Sequence, residues 1–215
     1  MEEIKILKPF SPTVVKVKIP KNIIYELNDY VDQIVENNKK SKDLDYGKYL
    51  VGDVTQELKL EKEIMEKTGW ANFLASCTGK WIQMEFKKKL TKFVIKDSWI
   101  VRQFQNEYNP THWHDGHLSG AGFLKVPKDM GQHTQSQKEG YKNYKGGYLQ
   151  LLHGAKMFAC HSKMTIKPEV GDFYIFPHYL MHSVFPFKGT DEERRSISFN
   201  ALIDENIYDV YGNNG

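Results

Sequence analysis

The stretch GDFYIFPHYLMHSVFPFKGTDEERRSISFN, residues 171–200, decides how this chain folds. Within it DFYIF, MHSVF and RRSISFN are short runs rich in β-branched and aromatic residues, and Pro177, Pro186 and Gly189 separate one from the next. The last run sorts its side chains with a period of two. Arg194, Ser196, Ser198 and Asn200 form a polar row, whereas Arg195, Ile197, Phe199 and Ala201 form a largely apolar one. An apolar strand face needs a layer to cover it, so the second row should lie against helices and the first should line a barrel interior. A guanidinium turned inward is costly without an anion beside it. A carboxylate ligand held by Arg194, with Ser196 assisting, is the simplest partner. The competing reading makes both arginines ordinary surface charges that follow Asp191-Glu192-Glu193.

The same period runs outward from this stretch. KFVI, SWIVRQF, SGAGFLKV, GGYLQLL, KMFAC and KMTI read as further strands, with turns at residues 108–110, at Gly146-Gly147 and around Pro168 and Gly171. Upstream the period changes to that of a helix. Ile23, Ile24, Leu27, Tyr30, Val31, Ile34 and Val35 recur on one side of an amphipathic helix that Asn22 could cap. After a polar, turn-rich segment (39–56), Trp70, Phe73, Leu74, Cys77 and Trp81 share one face of a second, core-facing helix. The expected architecture is mainly β with N-terminal helices: a double-stranded β-helix, the cupin-like jelly roll, braced by α-helices on one sheet. A single domain over residues 1–215 is expected, with a helical preface (1–90) and a jelly-roll core (91–205). The irregular segment 128–147 reads either as a lid over a site or as a plain hairpin loop.

Composition narrows the function. The 215 residues, 40% hydrophobic, are enough to bury one sizeable core. A net charge of +3, evenly scattered, is no footprint for nucleic acid. Cys77 and Cys160 match no metal or redox spacing, and the start MEEIKILK has no apolar signal core, so a cytoplasmic location is expected. No apolar run approaches the roughly 20 residues that span a bilayer. The edges of a jelly roll and the helical preface both offer surfaces for a homodimer.

A second stretch carries the chemistry. In THWHDGHLSG, residues 111–120, His112 and His114 leave the same face of an extended chain and could share one metal ion. His182, at the start of a later strand, can be brought beside them by a jelly roll. Two imidazoles on one face, a distal histidine and an Arg-x-Ser further on resemble the Fe(II)- and 2-oxoglutarate-dependent oxygenases. In finer detail, YNPTHWHDGHLSGAGFLKVP and the stretch 171–200 resemble a family of such oxygenases from marine bacteria and their tailed phages, distantly related to prolyl hydroxylases.

The resemblance covers roughly residues 99–203 and implies a hydroxylase that uses Fe(II), O2 and 2-oxoglutarate and releases succinate and CO2. It implies His112 and His182 as iron ligands, and Arg194 with Ser196 as the clamp on the distal carboxylate of 2-oxoglutarate. The superfamily's His-x-Asp/Glu is here His-x-His, so the third ligand is His114, or Asp115 swung inward at Gly116, or water; the extended geometry favours His114. The family often has tyrosine where this chain has Phe123, and an acidic residue where it has His117. His117 reads as exposed, or as a residue that orients a ligand. His133, His153, His161 and His178 read as structural or solvated. The primary substrate has no readable code, although a peptide or protein side chain is conceivable by analogy. Rival readings are a three-histidine, cupin-type oxygenase without 2-oxoglutarate and a non-catalytic jelly-roll binding module.

Overall fold

Strand Arg194–Ile203 is the spine of the structure, a computed structural model that describes residues 4–7, 12–131, 144–158 and 160–209. In chain order the elements are β1 (Lys5–Leu7), β2 (Val14–Lys18), α1 (Lys21–Glu36), α2 (Asn38–Asp43), β3 (Gln56–Lys59), α3 (Lys62–Lys67), α4 (Trp70–Phe86), β4 (Phe93–Gln103), β5 (Asn109–His112), β6 (Leu118–Lys125), β7 (Leu149–Leu152), β8 (Lys163–Ile166), β9 (Asp172–Pro177), β10 (Met181–Val184), β11 (Arg194–Ile203) and α5 (Glu205–Tyr208). Two antiparallel sheets result, ordered β1-β2-β9-β6-β11-β4-β3 and β5-β10-β7-β8. They form the expected jelly roll.

β11 pairs with β4 on one side and β6 on the other, and its alternation divides the interior into two cores. Ile197, Phe199 and Ala201 face one core, shared with Leu27, Val31 and Ile34 of α1 and Trp70, Leu74 and Trp81 of α4. Fully buried Phe173 meets Trp70 edge-on at 5.1 Å and stacks on Phe199 at 5.9 Å. Burying such rings contributes roughly 1.5–3 kcal/mol each, so the helices brace the sheet through their aromatic stripe. A second core, between the sheets, holds Phe123, Leu149, Leu151, Tyr174, Phe176 and Leu180.

Three sequence expectations need correction. Residues 1–90 are not purely helical: β1, β2 and β3 join the edges of the large sheet, because β2 and β3 find partners in β9 and β4 that lie far away in sequence. Pro20, not Asn22, occupies the N-cap of α1, and no side chain caps that end. The described residues of KMFAC form no strand; an isolated Met157–Cys160 bridge closes a turn there, with Met157 and Phe158 exposed. Most of the 128–147 segment, His133 included, lies outside the described residues. No helix among the described residues is long and apolar enough to cross a membrane.

Candidate metal and co-substrate site

Strand pairing assembles the histidines. β5 ends at His112, and the antiparallel register of β5 with β10 sets His182 directly opposite it. Two residues on, the backbone N–H of His114 donates to the His178 carbonyl at 3.1 Å, which holds the chain beyond β5 against the β9–β10 turn. One potential ligand atom from each of His112, His114 and His182 lies within 4.8 Å of the others.

The three rings are aimed by oxygen atoms. Nδ1 of His112 lies 2.7 Å from the Pro110 carbonyl, Nδ1 of His182 lies 2.9 Å from the Leu180 carbonyl, and Nδ1 of His114 lies 3.2 Å from Ser119 Oγ, which donates onward to Asn200. Protonated Nδ1 atoms that donate to these oxygens leave the Nε2 lone pairs free, and Nε2 of His112 and His114 stand 3.1 Å apart. Burial, with the neighbouring imidazoles next in effect, pushes His114 down to about 2 and His182 down to about 3; burial also lowers His112. All three are neutral at pH 7, the state a metal requires. The residues therefore fit a resident divalent metal ion.

Asp115 does not swing inward. Gly116, at φ 102°, turns the chain so that the Asp115 carboxylate is 88% exposed and pairs with Lys96. His117 is not exposed, contrary to the expectation. It is buried, stacks on Tyr208 at 3.9 Å and accepts from the Ile203 backbone N–H through Nδ1. It anchors α5 rather than orienting a ligand. His178 also serves this corner, with Nδ1 3.2 Å from the Tyr208 hydroxyl.

Arg194 lines the same pocket as the three histidines, together with Phe123 and Ser196. Its guanidinium is fully buried, and burial alone pushes it down to about 10. Nε donates to the Gly147 carbonyl at 3.0 Å, Nη1 donates to Gln103 Oε1 and Ser196 Oγ, and the ring of Phe123 lies 5.1 Å from the guanidinium carbon. No carboxylate pairs with it among the described residues. Arg195 is the opposite case. It reaches Glu193, just ahead of β11, and Asn28 and Asp32 on α1. Burial opposes its charge, but these partners prevail and raise its pKa.

Residues 97–200 match the family described as "Putative 2OG-Fe(II) oxygenase". That match spans just under half of the 215 residues. This family uses Fe(II), 2-oxoglutarate and O2. Among solved structures the chain is similar to a prolyl-4-hydroxylase of Pseudomonas putida (TM-score 0.54, 12% identity, 87% of this chain and 91% of that one). It is similar also to a collagen prolyl hydroxylase of Paramecium bursaria Chlorella virus-1 in complex with 2OG (0.52, 14%, 87% and 94%). A third is a prolyl hydroxylase of Trichoplax adhaerens in complex with a hypoxia inducible factor peptide fragment (0.54, 11%, 93% and 87%). At such identities these likenesses show the jelly-roll fold. No curated protein matches the chain.

Some pocket residues went unread in the sequence. Gln103, which steadies Arg194, Trp99, which packs on His114 at 5.2 Å, and Glu57 and Asn109 all line or adjoin the pocket. The alternation Trp99, Val101, Gln103 in β4 was available as a signal, because these residues pair with Ser198, Ser196 and Arg194. Nothing local marked Glu57, since β3 is only four residues long and borrows its face from β4.

Proposed function

We propose that this chain is an Fe(II)- and 2-oxoglutarate-dependent hydroxylase, with His112, His114 and His182 as the iron ligands and Arg194 with Ser196 as the co-substrate clamp. The observation that carries the reading is the buried Arg194, which pairs with no carboxylate among the described residues in the pocket where three neutral imidazoles converge. Bound iron supplies the oxidation: 2-oxoglutarate and O2 are consumed, CO2 and succinate leave, and one oxygen atom of O2 enters a C–H bond of the substrate. The chain's own residues bind and orient. The Pro110 and Leu180 carbonyls and Ser119 fix the imidazole tautomers. The Gly147 carbonyl and Gln103 hold the guanidinium plane, so that a carboxylate arriving beside Ser196 meets a preset donor. Burial keeps water from competing for that charge. The prolyl hydroxylases among the similar folds support a peptide or protein side chain as substrate.

Three imidazoles in place of two and a carboxylate favour a second reading, a three-histidine oxygenase that needs no 2-oxoglutarate. That reading has no use for Arg194. Anaerobic titration with Fe(II) and then 2-oxoglutarate separates the two: the hydroxylase should develop the weak visible charge-transfer band of chelated 2-oxoglutarate and, in air, form succinate. Iron binding without the band would select the second reading. Binding of neither would leave only a jelly-roll binding module.

A further inference from the structure

Glu57 is a buried carboxyl group that the fold alone does not explain. On β3 it stands opposite Val101, which in turn stands opposite Ser196, so the register places it in the inward row of the large sheet. It is 2% exposed, lines the same pocket as His112 and Arg194, and its Oε2 has no hydrogen-bond partner among the described residues. Asn109, on the strand that carries His112, repeats the pattern with a buried and unpartnered Oδ1 in the same pocket.

Both side chains lie against Gly52. A Cβ at this position would stand 2.2 Å from Asn109 Oδ1 and 3.0 Å from Glu57 Oε1, although the backbone here does not have the positive φ that calls for glycine. The missing side chain lets Asn109 Oδ1, which lacks a donor, and the Glu57 carboxyl, whose other oxygen Oε2 lacks one, lie close together over bare backbone. Buried polar atoms without partners cost about 1–3 kcal/mol each, which a ligand that donates to both would offset. Burial, with the Asp45 carboxylate next in effect, pushes Glu57 up to about 7, and no lysine or arginine pairs with it among the described residues. An ammonium group answers every demand: it carries three N–H donors, positive charge and small size.

We propose that Glu57 and Asn109 form the subsite for the primary substrate and take an ammonium group, presented by a free amine or by a lysine side chain. The proposal rests on the hydroxylase reading above. The anionic co-substrate and the cationic substrate group would then occupy opposite charges of one pocket, Arg194 and Glu57, which keeps each from the other's place.

The test uses the anaerobic full chain with Fe(II) and 2-oxoglutarate. Calorimetric titrations compare Nα-acetyl-lysine methylamide with its uncharged norleucine isostere, and cadaverine with n-pentane-1-ol. The ammonium probes should bind at least tenfold more tightly than their partners, with the preference shrinking below about pH 7 as Glu57 takes a proton. In Glu57→Gln and Gly52→Ala the preference should vanish. The cofactor band, recorded for each variant, reports that its fold is intact. A preference confined to the peptide-like probe assigns a lysine side chain, and one confined to cadaverine assigns a free amine. Equal binding of charged and uncharged probes by the wild type, or a preference that survives Glu57→Gln, would overturn the proposal. Absence of the band in the wild type would overturn the hydroxylase reading instead, and the preference can be read in either case.

Discussion

Arg194 and Arg195 are neighbours in sequence with opposite circumstances. Arg195 faces α1 through an exposed Asp32 and a buried Glu193, whereas Arg194 faces the pocket with neutral partners alone. Arg194→Ala should therefore raise the 2-oxoglutarate concentration required, by about ten- to a hundredfold for the loss of roughly 1.5–3 kcal/mol of charged hydrogen bonding. Arg195→Ala should leave that requirement unchanged and cost on the order of 3 kcal/mol in urea unfolding, because it strands part of the Glu193 charge. The reverse pattern of effects would show that the roles are exchanged. At the metal, His182→Ala removes one of three converging imidazoles and should abolish Fe(II) binding by equilibrium dialysis; retention of iron at wild-type affinity would remove His182 from the ligand set. These residues were legible in sequence because a period of two assigns faces without any knowledge of the neighbours. His117 was not, since its partners Tyr208 and Ile203 meet it only through the antiparallel return of β11.

At the scale of the element, β6 shows how sequence can identify a strand and miss its reason. SGAGFLKV reads as a strand by its alternation, but its two glycines serve packing. A Cβ at Gly122 would stand 2.3 Å from Phe173 Cδ2 and 2.7 Å from the Asp172 carbonyl, and one at Gly120 would strike Phe199 and Phe173. The bare backbone lets these rings lie across β6 and reach Trp70 of α4. Gly122→Val should thus destabilise by about 1–3 kcal/mol through overpacking, measured by chemical denaturation, while Gly79 of α4, where a Cβ would meet only Leu90 at 4.0 Å and φ is not positive, should accept alanine without loss. Equal effects at both positions would contradict the packing account. The strands β1, β2 and β3 escaped the sequence for a related reason: they are short, Val15 of β2 and Leu58 of β3 find their partners in Ile175 of β9 and Ile100 of β4, and among the described residues β1 pairs only with β2.

The whole molecule couples the three-histidine cluster to stability through protons. His114 and His182 keep neutral rings in the fold down to about pH 2 and 3, and His112 is lowered too, whereas in the unfolded chain each takes a proton near pH 6.5. Between those limits the unfolded state binds more protons than the folded one, so stability rises with pH. The contribution of the neutral site is fully present above about pH 6.5 and is lost as pH falls below it, by up to about 1.4 kcal/mol per unit for each imidazole. The metal-free protein should lose melting temperature as pH falls below 6.5, with three imidazoles outweighing the single Glu57 carboxyl, which burial pushes up to about 7 and which shifts stability the opposite way. His114→Leu, which keeps the ring's place apolar, should make that decline shallower, and saturating Mn(II) should raise the melting temperature at pH 7 and lessen in acid as protons compete for the same Nε2 atoms. A melting temperature that ignores pH between 5 and 6.5 in the metal-free wild type would mean that the imidazoles are hydrated and protonated in the fold, and the preset metal site would have to be given up.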